Sequence, residues 1–191
     1  MPFVEPSTFP SLETSRLHLR LLTAADTDFV FRHFGDPAVA QHLLDEPPLT
    51  DIAQAEAIIR FYLEPEGKSY NRWGIALKTN RQLIGTCGFH KWDKAHRRAE
   101  VGYDLSPAYW GQGYMAEALQ AALQNGFERM ELHRIDALVY VENVRSVRLL
   151  QKLGFQIEGT LRDYFYQDGV FYDHFVLSLL CGEWSVTPNP A

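Results

Sequence analysis

The chain has 191 residues, enough for one ordinary domain with a sizeable core, and its apolar fraction of 46% excludes a disordered polymer. A net charge of −6 speaks against a nucleic-acid partner, which needs a basic surface, and suits a cationic substrate such as an amine. No apolar run reaches the roughly 18 residues of a membrane span, and no basic stretch followed by an apolar core marks a secretory signal. Two unclustered cysteines, Cys87 and Cys181, fit a reducing cytoplasm and offer no metal site. Proline-containing ends at 1–11 and 185–191 are expected to be loosely held tails around a single domain at 12–184.

Leu17, Leu19 and Leu21 alternate with His18 and Arg20, which predicts a half-buried strand within 12–22. Thr23, with Asp26 three residues on, makes a capping-box-like start for a helix that stops near Gly35-Asp36-Pro37. A second helix begins at Thr50 or Asp51, carries Ile52, Ala55, Ile59, Tyr62 and Leu63 at helical spacing, and ends at 65–68. Three strands follow at 72–78, 82–89 and 98–105, the first two joined as a hairpin through 79–81. Met115, Ala118, Leu119, Ala122, Leu123, Phe127 and Met130 form one apolar stripe, so 113–129 reads as a long helix. A buried strand at 134–141 leads to a short helix at 143–153, halted by Gly154. Strands at 155–166 and 170–180 close the chain as a hairpin through Gln167-Asp168-Gly169. Seven strands and four helices in the order β-α-α-β-β-β-α-β-α-β-β describe an α+β domain with a mixed sheet.

The most informative segment lies between the strand ending at Leu105 and the helix carrying Glu117, where the chain turns on Gly111 and Gly113. The first N–H groups of a helix lack intrahelical partners and sit at the positive end of its dipole, and glycines clear the approach to them. Such a turn can cradle a phosphate. It can also be a packing turn. A third reading, a dinucleotide fingerprint through Gly111, Gly113 and Ala116 with Asp136 as the acidic partner, suffers because Ser106 to Trp110 separate strand from glycine.

At these residues the chain resembles the GNAT acetyltransferases. Their phosphate motif is Gln or Arg, two residues, Gly, one residue, then Gly or Ala. It aligns with 110–115, matching at Gly113 and departing at Trp110 and Met115. The run Tyr109 to Tyr114, followed by Glu117-Ala118-Leu119, is similar to the RimJ/RimL-type subgroup, the ribosomal-protein N-terminal acetyltransferases. Thr14 to Arg20, Ile84-Gly85, Ala99 to Tyr103, Asn143 to Ser146 through Phe155, and Glu158 to Arg162 resemble further strands and motifs of that subgroup in order. The resemblance implies a GNAT fold: a mixed, mostly antiparallel seven-stranded sheet with about four helices, splayed between its fourth and fifth strands. It implies acetyl-CoA as co-substrate and no metal. The pantetheine arm is expected along Tyr103, Asp104 and Leu105, with Asn143 and Ser146 beside it. The pyrophosphate is expected on N–H groups of Gly111, Gln112, Gly113, Tyr114, Met115 and Ala116.

Acetylating an amine requires a neutral amine, a polarised thioester carbonyl and a leaving thiolate. Glu100 is the expected base, sharing a strand face with Gly102 and Asp104; its structural alternative is an ion pair with Arg97 or Arg98. His90 and Glu158 are weaker candidates. The tyrosine acid of many GNAT enzymes is replaced by Leu150, and in RimJ/RimL-like proteins the serine matching Ser146 is the expected proton donor, with an inward packing residue as the alternative. Asn143 also reads as the helix N-cap. Tyr164, Phe165, Tyr166, Phe171 and Tyr172 belong to the sheet or line an acceptor pocket, and His33, His42, His96, His133 and His174 show no metal spacing. The expected acceptor is a protein N-terminal amine; a small-molecule amine and a catalytically silent acyl-CoA-binding module are the rivals. Nucleic acid and membrane are not expected as partners, and a homodimer is compatible with the sequence.

Overall fold

The computed structural model describes residues 8–43, 47–63 and 68–184. In chain order they form β1 (Leu12–Glu13), β2 (Leu17–Leu21), α1 (Thr27–Gly35), α2 (Pro37–Ala40), α3 (Ile52–Tyr62), β3 (Trp73–Leu77), β4 (Leu83–Asp93), β5 (Arg98–Leu105), α4 (Tyr114–Glu128), β6 (Arg134–Tyr140), α5 (Val144–Lys152), β7 (Gln156–Gln167) and β8 (Val170–Leu180). One sheet runs β1-β2-β3-β4-β5-β6-β8-β7. Every neighbouring pair is antiparallel except β5 and β6.

Among the described residues there are eight strands and five helices, one more of each than expected. The predicted first strand is broken by a turn at 14–16. There Thr14 N–H donates to Leu17 O at 3.0 Å and Thr14 Oγ1 accepts from Leu17 N–H at 2.9 Å, folding β1 back on β2. α1 stops at Gly35, as expected at Gly35-Asp36-Pro37, but Pro37 also occupies the first turn of α2, behind an Asp36 cap that accepts from Ala38 N–H at 2.9 Å. The Thr23–Asp26 capping box is present, but it heads a 3-10 turn at Ala24–Asp26 that leads into α1. The expected tail is also shorter. Phe9 is 2% exposed, its ring edge-on to Trp73 and Trp92, and Trp73 Nε1–H donates to Pro10 O at 3.0 Å. One buried aromatic is enough to pin 8–11. The segments 1–7 and 185–191 and the helix stop at 65–67 lie outside the described residues.

α4 and α5 cover one face of the sheet. Ala118, Leu119, Ala122, Leu123 and Leu150 are buried there among Ile75, Phe89, Val101, Ile135 and Leu177. Burial of each such large side chain contributes about 1.5–3 kcal/mol. α1 and α3 cover the other face over β2–β4, burying Val30, Ala55 and Ile59 against Leu22, Ala76 and Leu83. We call this second face the front.

The sheet forks in its middle. β5 pairs with β6 only from Arg98 to Glu100, opposite Arg134 to Asp136. Beyond that rung β5 stays on β4 as far as Leu105, and β6 stays on β8 as far as Tyr140. Ser106 N–H donates to Ile84 O at 2.8 Å, so ladder alternation turns the N–H groups of Val101, Tyr103 and Leu105 toward the fork. The tight β4–β5 contact depends on Gly85, where a Cβ would sit 2.3 Å from Asp104 O. The splay expected between the fourth and fifth of seven strands is this fork between β5 and β6.

Candidate active site

The glycine turn is built for close approach. Gly111 and Gly113 have φ of +74° and +79°, in the left-handed region that favours glycine, and Gly113 caps α4. A Cβ on Gly111 would meet nothing within 4 Å. The first intrahelical bond runs from Glu117 N–H to Gly113 O at 3.1 Å, leaving the N–H groups of Tyr114, Met115 and Ala116 at the mouth without intrahelical acceptors. This geometry fits a pyrophosphate. The Met115 side chain is buried in the core, so its backbone alone faces the turn. Arg16 Nη1 donates to Gln112 O at 3.0 Å, and its guanidinium lies 4.3 Å from the Tyr114 ring centroid. Arg16 is itself held by buried Glu117. Glu117 Oε2 accepts from Arg16 Nε at 2.6 Å, and its Oε1 accepts from Thr14 Oγ1, Ser15 Oγ and Arg16 N–H. Two motif pieces far apart in sequence, Thr14-Ser15-Arg16 and Glu117, are thus one clamp on the cradle.

On the helix-covered side of the fork, Asn143 caps α5, its Oδ1 accepting from Ser146 N–H at 3.2 Å. Ser146 points inward, and its Oγ lies 2.5 Å from Tyr103 Oη. Burial pushes the Tyr103 phenol above its ordinary value, so it keeps its proton. A tyrosine hydroxyl therefore reaches the fork from β5, although α5 carries Leu150 where many GNAT enzymes place one.

On the front, Asp104 is 7% exposed and belongs to a buried network. Its Oδ1 accepts from His33 Nε2 at 2.6 Å and Thr86 N–H at 3.0 Å; its Oδ2 accepts from Thr86 Oγ1 at 2.7 Å and Arg72 Nη1 at 2.9 Å. Burial alone would raise this carboxyl, but the His33 and Arg72 interactions outweigh it and hold it below the usual range. The Asp104 side chain is fully engaged, and by ladder alternation its backbone faces β4, so of the expected pantetheine contacts at 103–105 only Tyr103 and Leu105 turn their N–H groups to the fork. His33 Nδ1 lies 3.0 Å from Ser106 Oγ. Neither His33 nor Ser106 was singled out for a role in the sequence.

Glu100 stands at the last paired rung. Its Oε2 accepts from Lys91 Nζ at 3.0 Å, a partner other than Arg97 or Arg98. Beside it in the ladder, Asp136 accepts from Arg134 Nε at 2.6 Å, in the middle of β6. His90 is pushed down to about 3, first by burial and then by Arg72, and stays neutral. Glu158 is drawn down to about 2 by two Arg134 bonds at 2.7 Å and one from Ser178. His33, His90, Tyr62 and Arg72 converge above Gly102, while the predicted aromatics form their own cluster on β7 and β8, with Tyr166 and Phe171 exposed.

A cavity of about 350 Å³ opens at the mouth of the fork, lined by Gln41, His42, Trp110, Asn143 and Arg145 among others. Trp110 Nε1–H donates to Leu105 O at 2.7 Å and its ring lies under the Arg145 guanidinium, so the residue that departs from the GNAT motif ties cradle to fork. Among the described residues, no group of His, Cys, Asp and Glu side chains could hold a metal ion, and no helix is long and apolar enough to cross a membrane.

Residues 16–156 match the family model for the acetyltransferase (GNAT) domain. Over 176 residues, 90% of this chain and 97% of the relative, the sequence is 41% identical to the uncharacterized N-acetyltransferase YoaA of Bacillus subtilis. Over 114 residues, 59% of each protein, it is 32% identical to the ribosomal protein uS5-alanine N-acetyltransferase of Escherichia coli. The crystal structure of spermidine N-acetyltransferase from Vibrio cholerae in complex with CoA and spermine superposes with a TM-score of 0.79 at 25% identity, covering 88% of this chain and 98% of that one. With the fork and cradle in place, these matches decide the matter: the chain belongs to the GNAT family and is an acetyl-CoA-dependent N-acetyltransferase.

Proposed function

We propose that the amine this enzyme acetylates is the N-terminal α-amine of a protein, brought to the fork from the front face in the cytoplasm. The observation that carries this reading is the pairing of the three carboxylates that β5 and β6 present on the front. Asp104 is held by Arg72 and His33, Glu100 by Lys91, and Asp136 by Arg134. A polyamine needs several uncompensated acids along its length, whereas an α-amine presents one charge and, with a pKa of about 8 against about 10.4 for a lysine side chain, becomes neutral more readily. The uS5-alanine relative supports the same acceptor. Free Cys87 and Cys181 suit the cytoplasm.

Acetyl-CoA supplies an activated acetyl thioester. In this reading the N–H groups from Gly111 to Ala116 hold its pyrophosphate, and the fork edge at 103–105 with Asn143 and Ser146 holds its arm. Leu105 N–H polarises the carbonyl, and the Tyr103–Ser146 pair supplies a proton to the leaving sulfur. Glu100, with one oxygen engaged by Lys91, draws the incoming ammonium toward the fork and accepts the proton whose loss leaves a neutral amine.

The test is thiol release from acetyl-CoA with short peptides bearing free Ala, Ser or Met N-termini, the same peptides N-terminally blocked, spermidine and an aminoglycoside. Turnover of free but not blocked peptides is expected. The spermidine N-acetyltransferase fold makes spermidine the informative rival, and turnover confined to spermidine or the aminoglycoside overturns the α-amine assignment.

A further inference from the structure

Asp104, His33 and Ser106 form a carboxylate–imidazole–hydroxyl chain on the front of β5. Asp104 Oδ1 to His33 Nε2 measures 2.6 Å and His33 Nδ1 to Ser106 Oγ 3.0 Å. The side chains of His33 and Asp104 are 1% and 3% exposed. An ionised carboxylate accepts only, so Nε2 of His33 carries a proton, and in the neutral ring Nδ1 accepts from the Ser106 hydroxyl. The ring cannot rotate away, because Phe29 stacks on it at 5.0 Å and Phe34 packs edge-on at 5.1 Å. Asp104 and Ser106 flank Leu105, whose N–H faces the fork. The hydroxyl thus sits one residue from the proposed carbonyl-polarising group, with its lone pairs unclaimed by His33.

We propose that Ser106, His33 and Asp104 are the proton relay that deprotonates the acceptor amine. The inference rests on the amine-transfer reading, not on which amine is used. As the amine nitrogen bonds to the acetyl carbon, its proton moves to Ser106 Oγ, and the Ser106 proton moves to His33 Nδ1. The carbon–sulfur bond breaks with its electron pair leaving on sulfur, which is protonated from the Tyr103–Ser146 side. The imidazolium is stabilised by Asp104 until the product leaves; the proton then returns through Ser106 Oγ to entering water, and the Tyr103–Ser146 pair regains from water the proton it gave to sulfur. Ser106 is then the group that touches the amine; His33 acts through it, and Asp104 positions His33. The charged and titratable groups facing the relay are Asp104 from β5, Arg72 ahead of β3 and His90 from β4.

The experiment compares wild type, Ser106→Ala, Ser106→Thr and His33→Gln with the best amine of the panel above, from pH 5.5 to 9.5. The fold is checked by thermal melting, and acetyl-CoA affinity by calorimetry. Ser106→Ala and His33→Gln are expected to lose roughly 100-fold in kcat, with acetyl-CoA affinity within about twofold, since the relay is not part of the cradle. Their rates should climb with pH where the wild type has levelled off, and Ser106→Thr should restore most of the loss. Wild-type kcat and pH profile in Ser106→Ala overturn the relay alone. Turnover confined to spermidine overturns the α-amine assignment but leaves the relay standing if Ser106→Ala is still slow on spermidine. A wild type that binds acetyl-CoA and acetylates no amine in the panel overturns both.

Discussion

Successive residues of β5 live in different chemistry. Val101, Tyr103 and Leu105 belong to the side packed by α4 and α5, where a phenol meets the Ser146 hydroxyl among apolar side chains. Glu100, Gly102 and Asp104, continued by Ser106, look to the front, where carboxylates, Arg72 and two histidines converge. A period of two suffices to put a hydroxyl pair and an ionic network on opposite faces of one strand. The fork then lets both sides reach a space that a fully paired sheet would close. The two sides also differ in what holds them. The helix-covered side is kept mainly by apolar packing, whereas the front adds to its apolar cluster a buried ionic network in which each member depends on the others.

That contrast is most easily broken at Asp104. Asp104→Ala leaves the Arg72 guanidinium, 15% exposed, without its carboxylate, and should lower unfolding free energy by about 3–5 kcal/mol in urea titration. A loss under about 1 kcal/mol would mean the network is a passenger on the fold. On the other side, Tyr103→Phe and Ser146→Ala should each leave stability close to wild type and lower kcat about 100-fold, equivalent to about 2.7 kcal/mol, a far larger loss than in acetyl-CoA affinity. Because the two hydroxyls act as one unit, the double variant should be no slower than the worse single. Additive losses would separate them, and wild-type kinetics in Ser146→Ala would return Ser146 to packing.

The cradle sharpens the comparison by resting on backbone alone. Gly113→Val places a β-branched residue at φ +79°, where non-glycine residues are disfavoured by about 1–2 kcal/mol. Within the protein its Cβ would meet only Arg16 Nη2, at an ordinary 3.5 Å, so the effect comes from strain in the turn and from a side chain standing in the pyrophosphate's approach. Acetyl-CoA affinity should weaken about tenfold by calorimetry, and unchanged affinity would remove the pyrophosphate from this turn.

What could be read in the sequence was local. The glycine turn, the Asn143 cap, the inward Ser146 and the order of strands and helices all follow from spacing within a dozen residues, and the structure has each of them. What could not be read depends on distant residues meeting. His33 lies 71 positions from Asp104, and Ser146 lies 43 from Tyr103. A lone histidine in the last turn of an amphipathic helix carries no sign of the carboxylate it will face. The break between β1 and β2 has the same cause, since the turn is held by a glutamate on α4; the odd spacing from Leu12 to Leu17, a slip in the alternation of Leu17, Leu19 and Leu21, is the one local sign of it.

That glutamate carries the smallest and most specific expectation. Glu117 is 6% exposed, and burial would raise its carboxyl, but donors from Thr14, Arg16 and Ser15 overcome burial and hold it below its ordinary 4.5. A folded value below the unfolded one means the stabilisation is present above about pH 4.5 and fades as pH falls through the folded value. Glu117→Gln should therefore cost about 1 kcal/mol at pH 7, and the gap in melting temperature from wild type should narrow below pH 4. The same variant frees Arg16 from α4 and with it the tie to Gln112 O, so acetyl-CoA affinity should fall a few-fold at pH 7, where the clamp is charged. A melting gap that is independent of pH would show that Glu117 acts by shape rather than charge. A gap that narrows while affinity stays at the wild-type value would confine the clamp to holding the fold and leave the cradle to its glycines.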